Sequence, residues 1–321
     1  MCPKTITDLS DLATAQPALL GIDWGTTSLR GALLAANGGV IDARESPRGL
    51  LQVPPGGWEQ VFEEVFADWL ARHPGLPVLM CGMVGSRQGW VEAPYCACPA
   101  TAADLAARLT WVRPGRIAIV PGLSFEAGGM PDVMRGEETQ VLGALALLGA
   151  MTGEALTLVL PGTHSKWVQV RGGCVTGFAT QMTGECYALF RQHSILARTL
   201  PADEPAFDAA AFDDGIDRAA DAGGLLHHLF GVRTQALFDR SDGAALASCL
   251  SGLVIGEELR AQPMPHGERI VLVGSPALTA RYARAFERRG QTCTILGAEA
   301  TWAGLSLLGR LAVPARDTID R

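Results

Sequence analysis

Residues 19–30 read Leu-Leu-Gly-Ile-Asp-Trp-Gly-Thr-Thr-Ser-Leu-Arg. An apolar run, Leu19 to Ile22, has the length and character of a buried strand, and it delivers an acid, Asp23, at its end. A tight turn follows, Gly25-Thr26-Thr27-Ser28. Glycine lets a backbone approach a ligand closely, and exposed N–H groups beside three consecutive hydroxyls suit phosphate oxygens. An aspartate at a strand end suits a hydrated Mg²⁺. A second apolar run, Leu29 to Ala35, leads into Asn37-Gly38-Gly39, a hairpin signal. A plain β-hairpin with a polar turn also fits this stretch taken alone.

An echo later in the chain favours the ligand reading. Residues 156–170 read Leu-Thr-Leu-Val-Leu-Pro-Gly-Thr-His-Ser-Lys-Trp-Val-Gln-Val. Gly162-Thr163-His164-Ser165 repeats Gly25-Thr26-Thr27-Ser28 after 137 residues, and Gly172-Gly173 repeats Gly38-Gly39. Internal repetition at about half the chain length predicts two related lobes. The expected boundary divides 1–154 from 155–321, with the last helix packing back at the junction. Each lobe is expected to offer a phosphate-holding hairpin to a shared nucleotide cleft.

Composition narrows the classes. A chain of 321 residues with 48% hydrophobic and 18% charged residues can bury two cores. A net charge of −7 and the lack of a Lys/Arg block argue against a nucleic-acid surface. The most apolar uncharged run, Thr139 to Gly153, falls short of the roughly 18 residues a membrane span needs, so it reads as a core helix. Residues 1–17 read as a loose leader without signal-peptide shape, too short for a DNA-binding head. Eight scattered cysteines, with Cys96 and Cys98 a lone C-x-C, read as thiols of a reducing cytoplasm.

In chain order, Val40–Ala43 reads as a third strand. Residues 58–72 have helical apolar spacing, and 77–82 form a short buried strand. Residues 102–111 read as a helix, 116–120 as a strand, and the Gly-rich stretch after it, ending in Met130-Pro131-Asp132-Val133-Met134-Arg135, as a loop. A helix covers Val141 to Leu148. Strand 156–160 opens the second lobe, and a helix carries Tyr187, Leu189, Phe190 and His193. Residues 201–223 are acidic, Ala-rich and broken by prolines, and read as a mobile surface flap. Helices 223–230 and 243–260 follow, then strand 269–273, helix 279–288, strand 292–296 and helix 298–311.

Several constellations carry candidate chemistry. Ser86-Arg87-Gln88, with Trp90 and Tyr95, form a loop suited to an anionic substrate: a guanidinium binds a carboxylate with two donors, and aromatic rings wall a sugar face. Glu137 and Glu138 open a helix, where simple capping explains them and a general base is the sharper reading. Asp132 is a third acid, and no choice among the three follows from sequence. Lys166 is placed to reach a phosphate. Gly274-Ser275-Pro276 joins a strand to a helix start, a seat for a nucleotide. The adjacent His227 and His228 cannot face one ligand from a helix.

Together these stretches resemble the actin/hexokinase/chaperone-ATPase superfamily, an α/β fold of two duplicated ribonuclease-H-like lobes. Within it the chain resembles the 2-dehydro-3-deoxygalactonokinases. The likeness is carried by Asp23-Trp24-Gly25-Thr26-Thr27-Ser28, Gly82-Met83-Val84-Gly85-Ser86-Arg87-Gln88-Gly89-Trp90, Pro131-Asp132-Val133-Met134-Arg135-Gly136-Glu137-Glu138-Thr139-Gln140, Leu160-Pro161-Gly162-Thr163-His164-Ser165-Lys166-Trp167 and Met182-Thr183-Gly184-Glu185. The resemblance implies ATP-dependent phosphorylation of the terminal hydroxyl of 2-dehydro-3-deoxy-D-galactonate in galactonate breakdown. It implies that Gly25–Ser28 and Gly162–Lys166 hold ATP phosphates and that Gly274–Pro276 meets adenosine. Arg87 would take the substrate carboxylate, one of Glu138, Glu137 and Asp132 the proton, and Asp23 a Mg²⁺ through water. The expected partner is a small sugar acid, with no nucleic acid or membrane, in a cytoplasmic enzyme whose candidate assembly is a homodimer. Leu160 and Pro161 stand where many superfamily members carry an Asp in the second loop, which puts metal binding on Asp23. The alternatives are a phosphatase-like hydrolase, which needs a cation-lined site, and a non-enzymatic ATP-switched scaffold, which needs a polymer surface or a peptide-binding domain.

Overall fold

The computed structural model describes residues 16–149, 153, 155–262 and 267–312. The expected leader up to residue 15, the end of the apolar run at 150–152 and the tail from Pro314 lie outside the described residues. The chain divides into two compact units. One is Met1–Glu154 with Val170–Gly177 and Ala298–Arg321, and the other is Ala155–Gln169 with Phe178–Gly297.

The first unit is built on β1 (Pro17–Trp24), β2 (Leu29–Ala35), β3 (Val40–Ser46), β4 (Val78–Gly82), β6 (Thr110–Arg113) and β7 (Ile117–Ile119), in the order β3-β2-β1-β4-β7-β6. β1, β2 and β3 form an antiparallel meander, and β1, β4 and β7 run parallel. Leu20, Ile22 and Trp24 alternate along β1 and join Val61, Phe62, Phe66 and Trp69 of α1 (Trp58–Arg72) in one buried cluster. The intervening Gly21 faces Leu305 of α9 (Glu299–Ala312), so both faces of β1 are covered. α3 (Glu137–Leu148) crosses α9 at backbone contact. A Cβ on Gly143 would stand 1.8 Å from the Ala300 carbonyl, and one on Gly304 2.0 Å from the Thr139 carbonyl.

Two expectations in this unit need correction. The helix expected over 102–111 is only α2 (Ala102–Ala106), closed by a capping box between Thr101 and Asp104. Its expected second half is the edge strand β6, because pairing with β7 outweighs weak helical propensity. The Gly-rich loop is a hairpin of β8 (Leu123–Ala127) and β9 (Met130–Met134), with β5 (Cys96–Ala97) beside β8. Gly128 and Gly129 both take positive φ, as a two-residue hairpin turn requires. The strands hide from pattern reading because Met130 and Val133 are exposed.

The second unit contains β10 (Ala155–Leu160), β11 (Ser165–Arg171), β12 (Cys174–Gln181), β13 (Arg269–Val273) and β14 (Cys293–Leu296), in the order β12-β11-β10-β13-β14. This is the order of β3-β2-β1-β4-β7, with parallel pairing again at the third and fourth places. The repeat seen in sequence is thus a repeat of sheet topology, and the fold is the α/β architecture of ribonuclease-H-like lobes. The helices here are α4 (Thr183–His193), α5 (Ala209–Ala220), α6 (Gly224–Leu237), α7 (Gly243–Ala261) and α8 (Pro276–Arg288). Val159, Trp167, Phe212, Ile216, Leu272, Tyr282 and Phe286 form its core.

The expected flap at 201–223 is largely α5. Asp208 caps it, its carboxylate accepting from the Ala211 N–H at 3.0 Å, and Phe212 and Ile216 are buried. Gly215 and Gly252 let α5 and α7 touch backbone to backbone. The small residues that suggested a loose segment serve this close approach. The described cysteines are free thiols. No helix among the described residues is long and apolar enough to cross a membrane.

Candidate functional site

In the first unit the chemistry gathers at the carboxyl ends of β1 and β4, where ligands bind in α/β sheets. Register places Asp23 beside Cys81 and Trp24 beside Gly82. Gly82 (φ +91) and Gly136 (φ +105) take backbone conformations that exclude other residues, and a Cβ on Gly82 would strike the Trp24 carbonyl at 2.8 Å. A Cβ on Gly136 would lie 3.2 Å from the Gly82 Cα. These bare contacts draw the start of α3 onto the ends of β1 and β4.

Glu138, in the first turn of α3, is fully buried. Its Oε2 accepts from the Gly136 N–H at 2.6 Å and its Oε1 from the Thr139 hydroxyl at 3.0 Å, and its own backbone N–H also donates to the carboxylate. Burial, reinforced by the neighbouring Glu137 charge, pushes its carboxyl up to about 8. Burial, with the Asp23 and Glu138 carboxylates close by, also raises the Cys81 thiol. Asp23 and Glu138 therefore share one neighbourhood around Cys81. The Glu137 carboxylate accepts from the Arg135 N–H at 3.1 Å. Asp132 lies on β9, its carboxylate accepting from the Val133 N–H.

Asp23 pairs through Oδ2 with the Arg30 guanidinium, while its Oδ1 lies 3.2 Å from where a Gly82 side chain would begin. No group of three or more His, Cys, Asp or Glu among the described residues is placed to ligate a metal. One carboxylate oxygen beside a bare glycine fits a Mg²⁺ held through water, which needs few protein ligands when phosphates supply the rest.

The Gly25–Ser28 turn is closed by the Gly25 N–H donating to the Ser28 carbonyl at 2.9 Å. The Leu50 and Leu51 N–H groups hold the Gly25 and Thr26 carbonyls at 3.0 and 3.1 Å, and Thr26 and Thr27 are exposed.

In the Ser86 loop, Arg87 is 87% exposed, with its Nε 3.7 Å from Glu92. The two rings offered in sequence as sugar walls are engaged otherwise. Trp90 packs on Phe62 and Trp24 at centroid distances of 5.7 and 6.4 Å, and Tyr95 lies 4.4 Å beneath the Arg135 guanidinium. Arg135 Nη2 donates to the Ala93 carbonyl at 2.7 Å. Its Nε and Nη1 and the Ser86 Oγ are buried without a hydrogen-bond partner among the described residues.

In the second unit, Gly162, Thr163 and His164 form the turn from β10 to β11, with Thr163 and His164 exposed. A Cβ on Gly184 would meet the Gly162 carbonyl at 2.4 Å, so the start of α4 lies hard against this turn. His164 Nε2 is 2.5 Å from Glu185 Oε2, and the Glu185 N–H donates to the Thr163 carbonyl at 3.0 Å. Ser165 and Lys166 are buried. Ser165 Oγ donates to Glu258 at 2.6 Å, so its hydroxyl braces the turn from within instead of facing a phosphate. Glu258 also accepts from Trp167 Nε1 and Tyr282 OH, both at 2.6 Å, and from Thr183 Oγ1. Gly274 and the exposed Ser275 and Pro276 join β13 to α8, whose first N–H groups suit an anion.

Sequence reading named neither Arg135 nor Glu258 as functional. Arg135 has a faint signal, an arginine directly before a glycine and two acids. Glu258 has none, since an acid near the end of an apolar helix usually faces solvent.

A family model described as 2-keto-3-deoxy-galactonokinase matches residues 23–308. The chain belongs to the 2-keto-3-deoxy-galactonokinase family. A Rhizobium meliloti (strain 1021) protein named "Probable 2-dehydro-3-deoxygalactonokinase DgoK1" is 38% identical over 300 residues, covering 91% of this chain and 97% of that one. The 2-dehydro-3-deoxygalactonokinase of Escherichia coli K12 is 37% identical over 289 residues, covering 89% and 95%. A Sinorhizobium meliloti crystal structure assigned to the same kinase superposes with a TM-score of 0.84 at 36% identity, covering 92% of this chain and 99% of that one. The chemistry asked of a member of the 2-keto-3-deoxy-galactonokinase family is phosphoryl transfer to an alcohol.

Proposed function

We propose that this chain is an ATP-dependent, cytoplasmic kinase that phosphorylates 2-dehydro-3-deoxy-D-galactonate on its terminal hydroxyl. The single observation that carries the mechanism is Glu138, buried beside Asp23 with its carboxyl near 8. A general base works best when its affinity for protons matches the working pH, and active sites are where such shifts gather. Glu138 takes the proton of the acceptor hydroxyl, and Glu137 keeps its proton affinity high. Phosphoryl transfer is otherwise positioning and charge stabilisation. In the second unit the Gly162–His164 turn supplies N–H groups and hydroxyls for ATP phosphates and Gly274–Pro276 a seat for adenosine, and in the first unit the Gly25–Ser28 turn offers hydroxyls that suit phosphate oxygens. When Mg²⁺ is bound it offsets phosphate charge, with Asp23 its holder through water. The sugar acid enters at the Ser86 turn.

The test is a coupled ADP-release assay with Mg²⁺-ATP, offering 2-dehydro-3-deoxygalactonate and its gluconate epimer separately. The reading expects turnover that prefers the galactonate form. ADP release that ignores both acids would sink it in favour of a hydrolase or scaffold.

A further inference from the structure

A buried guanidinium with two unpartnered nitrogens is costly unless a ligand anion completes it, because each orphaned donor has lost its water without gaining a partner. Arg135 is such a group. Its Nη2 is tied to the Ala93 carbonyl, the Tyr95 ring supports its plane, and its own N–H is held by Glu137. The side chain is therefore fixed before any ligand arrives. Nη1 lies 3.0 Å from where a Gly85 side chain would begin, so it rests against the backbone next to Ser86. Ser86 Oγ is likewise a buried donor without a partner among the described residues. Glu138, the proposed base, stands three residues after Arg135 in the chain.

We propose that Arg135 and Ser86 form the clamp for the 2-oxo-carboxylate end of the acceptor, with Arg135 Nη1 and Ser86 Oγ donating to that end and Arg135 supplying the charge. This rests on the kinase reading above and moves the carboxylate contact from Arg87 to Arg135. Arg87 is 87% exposed and reaches Glu92 only at 3.7 Å, so water screens whatever it meets. Arg135 is pre-positioned and its Nε and Nη1 are shielded from water, the condition under which a charge-assisted hydrogen bond is strongest. A lysine cannot reproduce it, because one ammonium cannot hold the Ala93 carbonyl and present a second donor edge in a fixed plane.

The experiment is steady-state kinetics of wild type, Arg135→Lys, Ser86→Ala and Arg87→Ala. The acceptors are 2-dehydro-3-deoxygalactonate and a neutral analogue bearing a hydroxymethyl group in place of the carboxylate. For the acid, Arg135→Lys should raise KM at least tenfold with kcat changed less than threefold, because the carboxylate is bound alike before and during transfer. Ser86→Ala should raise KM several-fold, and Arg87→Ala less than either. For the neutral analogue, the KM increase caused by Arg135→Lys should be at least fivefold smaller than for the acid. An equal loss with both acceptors would mean that Arg135 is only structural, and a larger effect from Arg87→Ala would return the carboxylate to that loop. Either result overturns the clamp. Should Arg135→Lys fail to fold, calorimetric titration of pyruvate into wild type and Ser86→Ala decides: weakened binding in the variant supports the clamp, and equal binding refutes it. Wild type that turns over neither epimer would defeat the kinase reading, while the pyruvate titration would still judge the clamp.

Discussion

Glu138 makes two demands that pull in opposite directions. As a base it must ionise, yet its burial disfavours the charged form. Its folded value near 8 stands above the ordinary carboxylate value of 4.5. The folded state therefore holds a proton that the unfolded chain releases, and stability falls as pH rises from 4.5 to about 8. Glu138→Gln carries no such charge. It should match wild type in urea unfolding at pH 4.5 and exceed it at pH 9 by a few kcal/mol, on the order of 1.4 kcal/mol for each pH unit that separates the folded and unfolded values. The same variant should lose about 10²–10⁴-fold in kcat. Wild-type kcat/KM should climb with pH to a plateau above about 8. A flat profile, or a Gln variant no more stable at pH 9, would remove Glu138 from the mechanism.

Glu258 makes the opposite case, a buried acid whose work is structural. Ser165, Trp167, Thr183 and Tyr282 all donate to it. Glu258→Ala orphans these donors at about 1–3 kcal/mol each, less what water recovers. We expect a loss of more than about 3 kcal/mol in denaturant titration and a raised KM for ATP, because Ser165 braces the turn proposed to hold ATP phosphates. An unchanged midpoint would show the network to be dispensable.

At the scale of elements, glycines decide where helices may touch. Gly143 sits where α3 meets α9, with no room for a methyl group, whereas a Cβ on Gly231 in α6 would meet nothing within 4 Å. Gly143→Ala should cost about 1–3 kcal/mol or more from overpacking and lower kcat, since α3 carries Glu138. Gly231→Ala should stabilise by up to about 1 kcal/mol through helix propensity. Thermal melts of the pair test this, and equal melting points would show that α9 yields easily. The same principle explains why α5 was illegible in sequence. Its Ala and Gly content signals looseness in isolation and tight packing only once α7 is known to lie against it. The β8–β9 hairpin was hidden for another reason: its exposed positions carry the apolar Met130 and Val133, so it lacks the polar–apolar alternation that marks a half-buried strand.

For the whole molecule, two sheets of the same strand order carry different duties. The first holds the acid-rich ends of β1 and β4 and the proposed Arg135 clamp, and the second holds the Glu258-braced turn proposed for ATP phosphates and the α8 corner. Hydrogen exchange with each ligand alone should separate them. The sugar acid should protect residues 85–93 and 134–139. ATP should protect residues 161–165 and 274–279. Protection of 85–93 by ATP and of 274–279 by the sugar acid would reverse the assignment.

The sequence by itself determined the duplication, the two Gly-hydroxyl turns, the family and the reaction class. Those features are local: a strand, a glycine and a run of hydroxyls stand within a few residues of one another. Only the tertiary structure decided which polar groups face a ligand and which are consumed inside. Ser165 reads as a phosphate donor until Glu258, 93 residues on, takes its hydroxyl. Arg87 reads as the anion contact in sequence but stands exposed, and the proposal for Arg135 rests on two of its nitrogens, Nε and Nη1, being buried and unpaired among the described residues. Burial and partnership are set by residues distant in the chain, and on them depend both the strength of a charge and the proton affinity of an acid.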